Sequence, residues 1–240
     1  MRFAAARRRS SALRVHYSQT RSGHFALVTE PAQRATRNAQ RATRIGLLGG
    51  TFDPPHYGHL LAAQEAAWQL KLERVLFLPA RQNPLKEGET ITAVEDRCEM
   101  VTRAIADNPL FELSRVDMER PPPSYSVDLL RLMQAPDREL FFLVGADILP
   151  ELPRWHKPNE ILRLARLVVI NRPESPLPDI AALEAALPVA PERVDLVFIP
   201  GVAVSARLLR ARVAAGQPIR YLTPPSVERY IQDHRLYRST

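Results

Sequence analysis

The chain has 240 residues, 45% hydrophobic and 25% charged, with 22 prolines, one cysteine and a formal net charge of +7. These are the proportions of an ordinary globular protein with one substantial core, and no apolar run approaches the ~20 residues that a membrane-spanning helix needs. The lone Cys98 excludes an internal disulfide and suits a reducing, cytoplasmic setting.

The charge is unevenly placed. Residues 1–44 hold ten arginines, no lysine and one acid, Glu30, for a net of +9, so residues 45–240 carry −2. The basicity belongs to a leading segment, and the body is no electrostatic match for nucleic acid. Residues 1–43, rich in Arg, Ser, Thr, Ala and Gln, read as a disordered extension. The same composition suits an organelle transit peptide or a weak hold on an anionic partner, but it lacks the apolar stretch of a secretory signal.

From residue 44 onward, short apolar runs alternate with helical patterns. Strands are expected at 44–48, 74–79, 110–114, 139–145, 166–170 and 194–199. Helices are expected at 58–71, 95–107, 124–134, 158–165, 179–186, 205–215 and 225–234. Several strands are nearly continuous Leu, Val, Ile and Phe, as strands buried on both faces are. Ser124 and Ser205 stand where N-caps belong, and Gly216 where a helix closes. Cys98 reads as a chemically idle helix residue and Trp68 as packing. The βαβα alternation predicts one doubly wound, Rossmann-like α/β domain over residues 44–240, with a mainly parallel sheet and C-terminal helices. In such sheets ligands bind beyond the carboxyl ends of the strands, at the switch in strand order.

The first of these strands delivers the densest chemistry. It runs into Gly49-Gly50-Thr51-Phe52-Asp53-Pro54-Pro55-His56-Tyr57-Gly58-His59-Leu60. Two glycines permit a close backbone approach to a ligand. His56 and His59 fall at the start of a helix, three residues apart and so on one face. A helix N-terminus with unpaired N–H groups, beside two imidazoles, suits a polyphosphate. A plain turn is the alternative for the glycines. No nearby Cys or further His completes a zinc set.

This stretch resembles the G-G-x-F-D-P-x-H-x-G-H signature of the HIGH-type nucleotidyltransferases. Its form is most similar to that of the nicotinate mononucleotide adenylyltransferases. Pro123–Leu130, Gly145–Leu149 with Trp155, Val204–Arg210 and Pro225–Ile231 resemble further segments of that family in the same order. The resemblance therefore spans about residues 44–238.

It implies transfer of the adenylyl group of ATP to nicotinate mononucleotide, with Mg²⁺ accompanying ATP and pyrophosphate leaving. By the same resemblance His56, His59 and Arg210 are catalytic, with His59 facing the α-phosphate and Arg210, in a first helical turn, holding the β- and γ-phosphates. Gly49, Gly50, Thr51, Phe52, Ser205 and Lys86 would bind ATP. Ser126, Asp147 and Trp155 would bind the pyridine nucleotide. Asp147 can accept two hydrogen bonds from a ribose diol or cap a helix over 148–152. Trp155 can stack on a base or fill core. Two positions depart from the family pattern: Arg207 replaces a hydroxyl residue, and Leu85 replaces a histidine beside Lys86. A relative acting on phosphopantetheine or glycerol phosphate is the nearest alternative function; a nucleic-acid binder using the basic arm is a remote one. Nicotinate and nicotinamide substrates leave no distinct residue signature, and the oligomeric state has none either.

Overall fold

The computed structural model describes residues 17–19, 25–27, 42–81, 92–120, 125–171, 179–187 and 193–238. Within the leading segment, strands β1 (Tyr17–Gln19) and β2 (Phe25–Leu27) pair antiparallel, Tyr17 opposite Leu27. The expectation of a disordered arm otherwise lies outside the described residues. So do the proposed cap at Ser124, and Leu85 and Lys86.

The body is a six-stranded, wholly parallel sheet in the order β5-β4-β3-β6-β7-β8. Its strands are β3 (Thr43–Gly50), β4 (Arg74–Pro79), β5 (Phe111–Leu113), β6 (Arg138–Gly145), β7 (Arg166–Asn171) and β8 (Val194–Phe198). The helices are α1 (Tyr57–Leu70), α2 (Val94–Ile105), α3 (Ser126–Met133), α4 (Pro158–Leu164), α5 (Ile180–Ala186), α6 (Ala206–Ala214) and α7 (Pro225–Asp233). All six expected strands and seven expected helices form, with ends shifted by one or two residues.

The continuous apolar runs are explained by alternation across the sheet. Leu48, Val75, Phe77, Phe141, Leu143, Val168 and Ile170 enter one core with α1, α2, α6 and α7. Ile45, Leu47, Leu76, Leu78, Leu140, Phe142, Leu167 and Val169 enter a second core with α3 and α4. Strands with period-two side chains and no solvent face must be apolar at every position. The chain winds outward from β3 to β5, then returns to β6 beside β3. The switch in strand order therefore lies between Gly49-Gly50 and Gly145.

Three details differ from the sequence reading. Trp68 is not packing: it is 76% exposed. The buried stripe of α1 is Gly58, Ala62, Ala63, Ala66 and Ala67, and Trp68 falls on the opposite side. Residues Ala146–Arg154 form a nine-residue 3₁₀ helix, longer than the short piece expected, with Pro150 and Pro153 inside it. Prolines lack the N–H that an α-helical ladder needs. Finally, Asp147 does not cap this helix; Gly145 does, without a side-chain bond. Elsewhere the expected caps hold. Ser205 accepts from the Leu208 N–H at 3.2 Å. Gly216, at φ +69°, closes α6 with bonds from Gly216 N–H to the Val213 carbonyl and from Gln217 N–H to that of Arg212, a Schellman arrangement.

Arg97 sits on the buried stripe of α2, among Cys98, Val101 and Ala104, and is only 1% exposed. Its Nη1 donates to the carbonyls of Thr51 at 2.7 Å and Ala80 at 2.9 Å, and its Nε to that of Thr92 at 3.0 Å. Burial pulls its pKa below the ordinary arginine value, with Asp53 pulling it back up. The guanidinium thereby ties the ends of β3 and β4 to the start of α2. Arg97→Met would leave three inward carbonyls unsatisfied, so we expect unfolding free energy to fall by about 3 kcal/mol. Urea titration checks this; an unchanged midpoint and slope would show that Arg97 is not structural.

Candidate active site

Residues 51–56 join β3 to α1 without regular pairing, so other elements must satisfy their polar groups. Beyond Arg97 on the Thr51 carbonyl, Arg210 Nη1 donates to the Asp53 carbonyl at 2.7 Å. The Thr223 hydroxyl donates to the Pro55 carbonyl at 2.7 Å. Asp53, itself 3% exposed, accepts the Thr92 N–H on Oδ2 at 3.1 Å. Phe52 adopts φ +51°, a left-handed conformation that is costly for a bulky residue and is found where surroundings force it. Its ring is buried and meets His59 edge-on, with centroids 5.0 Å apart at 71°.

The histidines have different places. His56 is the extended N-cap residue of α1, with 3% exposure. His59, three residues on, reaches back so that its Nδ1 accepts the His56 N–H at 3.3 Å. The two rings stack with centroids 3.7 Å apart. An imidazole accepting at Nδ1 is neutral and carries its proton on Nε2. His59 is therefore built as an Nε2–H donor. Gly58 makes this packing possible: a Cβ there would come within 3.0 Å of the His56 ring and 3.2 Å of Val204.

A cavity of about 490 Å³ opens at the switch in strand order. One wall contains Gly49, Gly50, Gly58 and His59; the other contains Ser126, Asp147, Ile148 and Trp155. A side chain on Gly49 would meet no atom within 4 Å, so bare backbone faces open space there. Gly145 has the opposite reason for being glycine, because a Cβ would collide with the Asp147 carboxylate. Trp155 is half-buried, its ring edge-on to Phe142 at 6.2 Å, so it both lines the cavity and leans on the core.

Sequence-predicted residues thus divide. Gly49, Gly50, His59, Ser126, Asp147 and Trp155 line one cavity. Thr51, Phe52, His56, Ser205 and Arg210 are not among its lining residues. Thr51, Phe52, His56 and Arg210 belong to the turn or its supports. Arg210 is the fifth residue of α6, in its second turn and not its first.

Sequence reasoning missed four cavity-lining groups. Asp117, 6% exposed, receives Arg120 Nη1 at 2.9 Å, and Arg120 Nη2 donates to the Tyr125 carbonyl at 2.9 Å. Burial raises the Asp117 pKa, while Arg120 opposes that rise. Tyr125 stacks on His156, with centroids 4.3 Å apart, and Arg154 stands beside them in the lining. No spacing marks a pair made by residues on separate segments, such as Tyr125 and His156. Among the described residues, no group of three or more His, Cys, Asp and Glu side chains is gathered to hold a metal ion. Nor is any described helix long and apolar enough to cross a membrane.

The cytidylyltransferase-like family model matches residues 47–212. A Roseiflexus protein described as a probable nicotinate-nucleotide adenylyltransferase is 48% identical over 195 residues, covering 81% of this chain and 98% of the relative. A Thermomicrobium roseum protein of the same description is 47% identical over 199 residues, covering 82% of this chain and 92% of the relative. Among solved structures, Plasmodium falciparum nicotinic acid mononucleotide adenylyltransferase complexed with NaAD has the same fold. Its TM-score is 0.67 at 18% identity, with 81% of this chain and 97% of that one covered. The chain belongs to the nicotinate-nucleotide adenylyltransferase family, within the cytidylyltransferase-like nucleotidyltransferases.

Proposed function

We propose that this enzyme joins the 5′-phosphate of nicotinate mononucleotide to the α-phosphorus of ATP, giving nicotinate adenine dinucleotide and pyrophosphate in NAD biosynthesis. The observation that carries this reading is the single cavity at the switch point, with phosphate-type groups on one wall and an acid and an indole on the other.

A mononucleotide phosphate oxygen attacks the α-phosphorus while the bond from that phosphorus to the bridging β-oxygen breaks. The nucleophile is already anionic, so no proton must be removed. Catalysis then comes from alignment and from stabilising charge on the phosphoryl oxygens. His59 Nε2–H donates to the α-phosphate, beside the α1 N-terminus and the bare backbone at Gly49 and Gly50. One Arg210 N–H is taken by the Asp53 carbonyl, and the remaining four suit the β- and γ-phosphates. His56 supports His59 from below. Ser205 and the exposed Arg207 stand at the start of α6, where Arg207 supplies charge in place of a hydroxyl. Lys86, outside the described residues, remains a candidate phosphate ligand. Mg²⁺ would accompany ATP as its counter-ion and offset the charge of the leaving pyrophosphate. On the facing wall Asp147 accepts from the ribose hydroxyls, Trp155 stacks on the pyridine, and Ser126 presents its hydroxyl and backbone at the α3 start. Residues 1–43 take no part in this chemistry, which belongs to the domain over 44–240.

His59→Ala should lower kcat by roughly 10²–10³-fold, the usual cost of one preorganised donor to developing charge, with the fold intact by circular dichroism. Near-normal turnover would remove His59 from the mechanism. Trp155→Ala should raise the KM for nicotinate mononucleotide by about tenfold or more, since stacking on a base contributes roughly 1–3 kcal/mol. An unchanged KM with a lowered melting temperature would assign the indole to the core alone. Deleting residues 1–42 should leave pyrophosphate release unchanged; loss of activity would make the arm part of the site.

A further inference from the structure

The end of the chain returns to the turn that bears the histidines. After α7 it passes through Arg235 at φ +54° and Tyr237 at φ +62°. Two left-handed non-glycine residues so close together are costly. Here they direct Tyr237 beneath residues 51–56, where its hydroxyl donates to Asp53 Oδ1 at 2.6 Å and lies 3.9 Å from Met100 Sδ. Leu236 and Tyr237 also pack against the core that contains Phe52. Burial first, and then the Asp53 charge, push the phenol pKa far above its ordinary value. It stays a protonated donor throughout the working pH range.

Two points just before α7 hold the same turn and its junction with α1. The Thr223 hydroxyl, fully buried, donates to the Pro55 carbonyl at 2.7 Å. The Leu222 carbonyl accepts the Tyr57 N–H at 3.2 Å. Neither Thr223 nor Tyr237 lines the cavity; the Thr223 hydroxyl is buried against Pro55 and the Tyr237 hydroxyl is engaged by Asp53. Both act on the segment whose next residues are His56 and His59.

We propose that Tyr237 is a positioning residue for adenylyl transfer: through Asp53, the C-terminal strap fixes the turn that aims His59. The proposal rests on the reading that His59 faces the α-phosphate. A bond of this kind is made with and without substrate, so its loss loosens aim rather than removing a contact. Loosened aim lowers turnover and spares the binding of the mononucleotide on the opposite wall. Misplacement by ~1 Å can cost about 10²-fold.

The test is Tyr237→Phe in the full-length enzyme, with Asp53→Asn and the double variant. We expect Tyr237→Phe to lower kcat by about 10- to 100-fold with the KM for nicotinate mononucleotide within about twofold. The double variant should fall short of the product of the two single effects, because Asp53→Asn leaves one amide oxygen for two donors, the Tyr237 hydroxyl and the Thr92 N–H. The His59 ring nitrogen resonances, assigned by their loss in His59→Ala, should shift in Tyr237→Phe. Unchanged kcat with unchanged His59 resonances overturns the proposal, whatever happens to the melting temperature. Should Tyr237→Phe fail to fold, Thr223→Val, at the second anchor, is read the same way. A wild-type enzyme that released no pyrophosphate from ATP and nicotinate mononucleotide would sink the functional reading instead. The His59 resonances would still decide whether Tyr237 sets the turn.

Discussion

The site depends on one constraint: a stretch of irregular backbone must be held rigid at the mouth of a parallel sheet. Residues 51–55 make neither helical nor ladder bonds, yet Phe52, Asp53, Pro54 and Pro55, with the N-cap His56, are all buried. Each inward polar group needs a partner, because leaving one unpaired costs about 1–3 kcal/mol. The partners come from distant parts of the chain. Thr51 is held by Arg97 of α2, the Asp53 carbonyl by Arg210 of α6, Pro55 by Thr223, and Tyr57 by the Leu222 carbonyl. The turn is thus where α2, α6 and the C-terminal segment converge. Its shape depends on the whole first core being folded.

Strand order supplies the other half. β3 and β6 are neighbours and the chain diverges from them to opposite edges, which opens a crevice at their carboxyl ends. Glycine ends both strands, for different reasons. At Gly49 the missing side chain exposes backbone to the cavity; at Gly145 it makes room for the Asp147 carboxylate. Two substrates can then lie across one crevice with their reacting ends meeting above β3 and β6. In the proposed reaction, phosphate chemistry sits on the α1 side and base and ribose recognition on the α3 side, a division the topology allows.

The sheet was legible in the sequence because burial on both faces forces an unmistakable apolar run, and α7 because Pro225 opens a periodic pattern. The motif around His56 and His59 was legible because glycine, proline and histidine are rare together. What stayed hidden has a common cause: meaning that depends on partners far away in sequence. Arg97 carries a signal in hindsight, since it occupies a position where the stripe of Val94, Cys98 and Val101 calls for an apolar residue. A buried arginine implies several acceptors, but not which ones. Trp68 was misread because an indole among alanines looks like core; the small side chains of α1 themselves pack against the sheet. Asp117, Arg120, Tyr125 and His156 meet only in three dimensions. The 3₁₀ helix was foreseen only as a piece over 148–152; it runs on through Pro153 because prolines exclude only the α-helical ladder.

The state of His59 links the scaffold to the chemistry. Its Nδ1 is engaged by the N-cap N–H of its own helix, and protonating that nitrogen would set a donor against a donor. The ring is therefore held as a neutral Nε2–H dipole. A strong base would be wasted on a phosphate nucleophile that has no proton to lose. In the proposed reaction a fixed dipole instead stabilises charge on the α-phosphoryl oxygens without reorganising. The stacked His56 ring and the edge-on Phe52 ring restrict the tilt of that dipole. Each of those neighbours is itself placed by the turn. If His59 faces the α-phosphate as proposed, the bonds on Thr51, Asp53 and Pro55 position it without reaching a reacting atom: they spend folding energy in advance to fix the aim of one N–H.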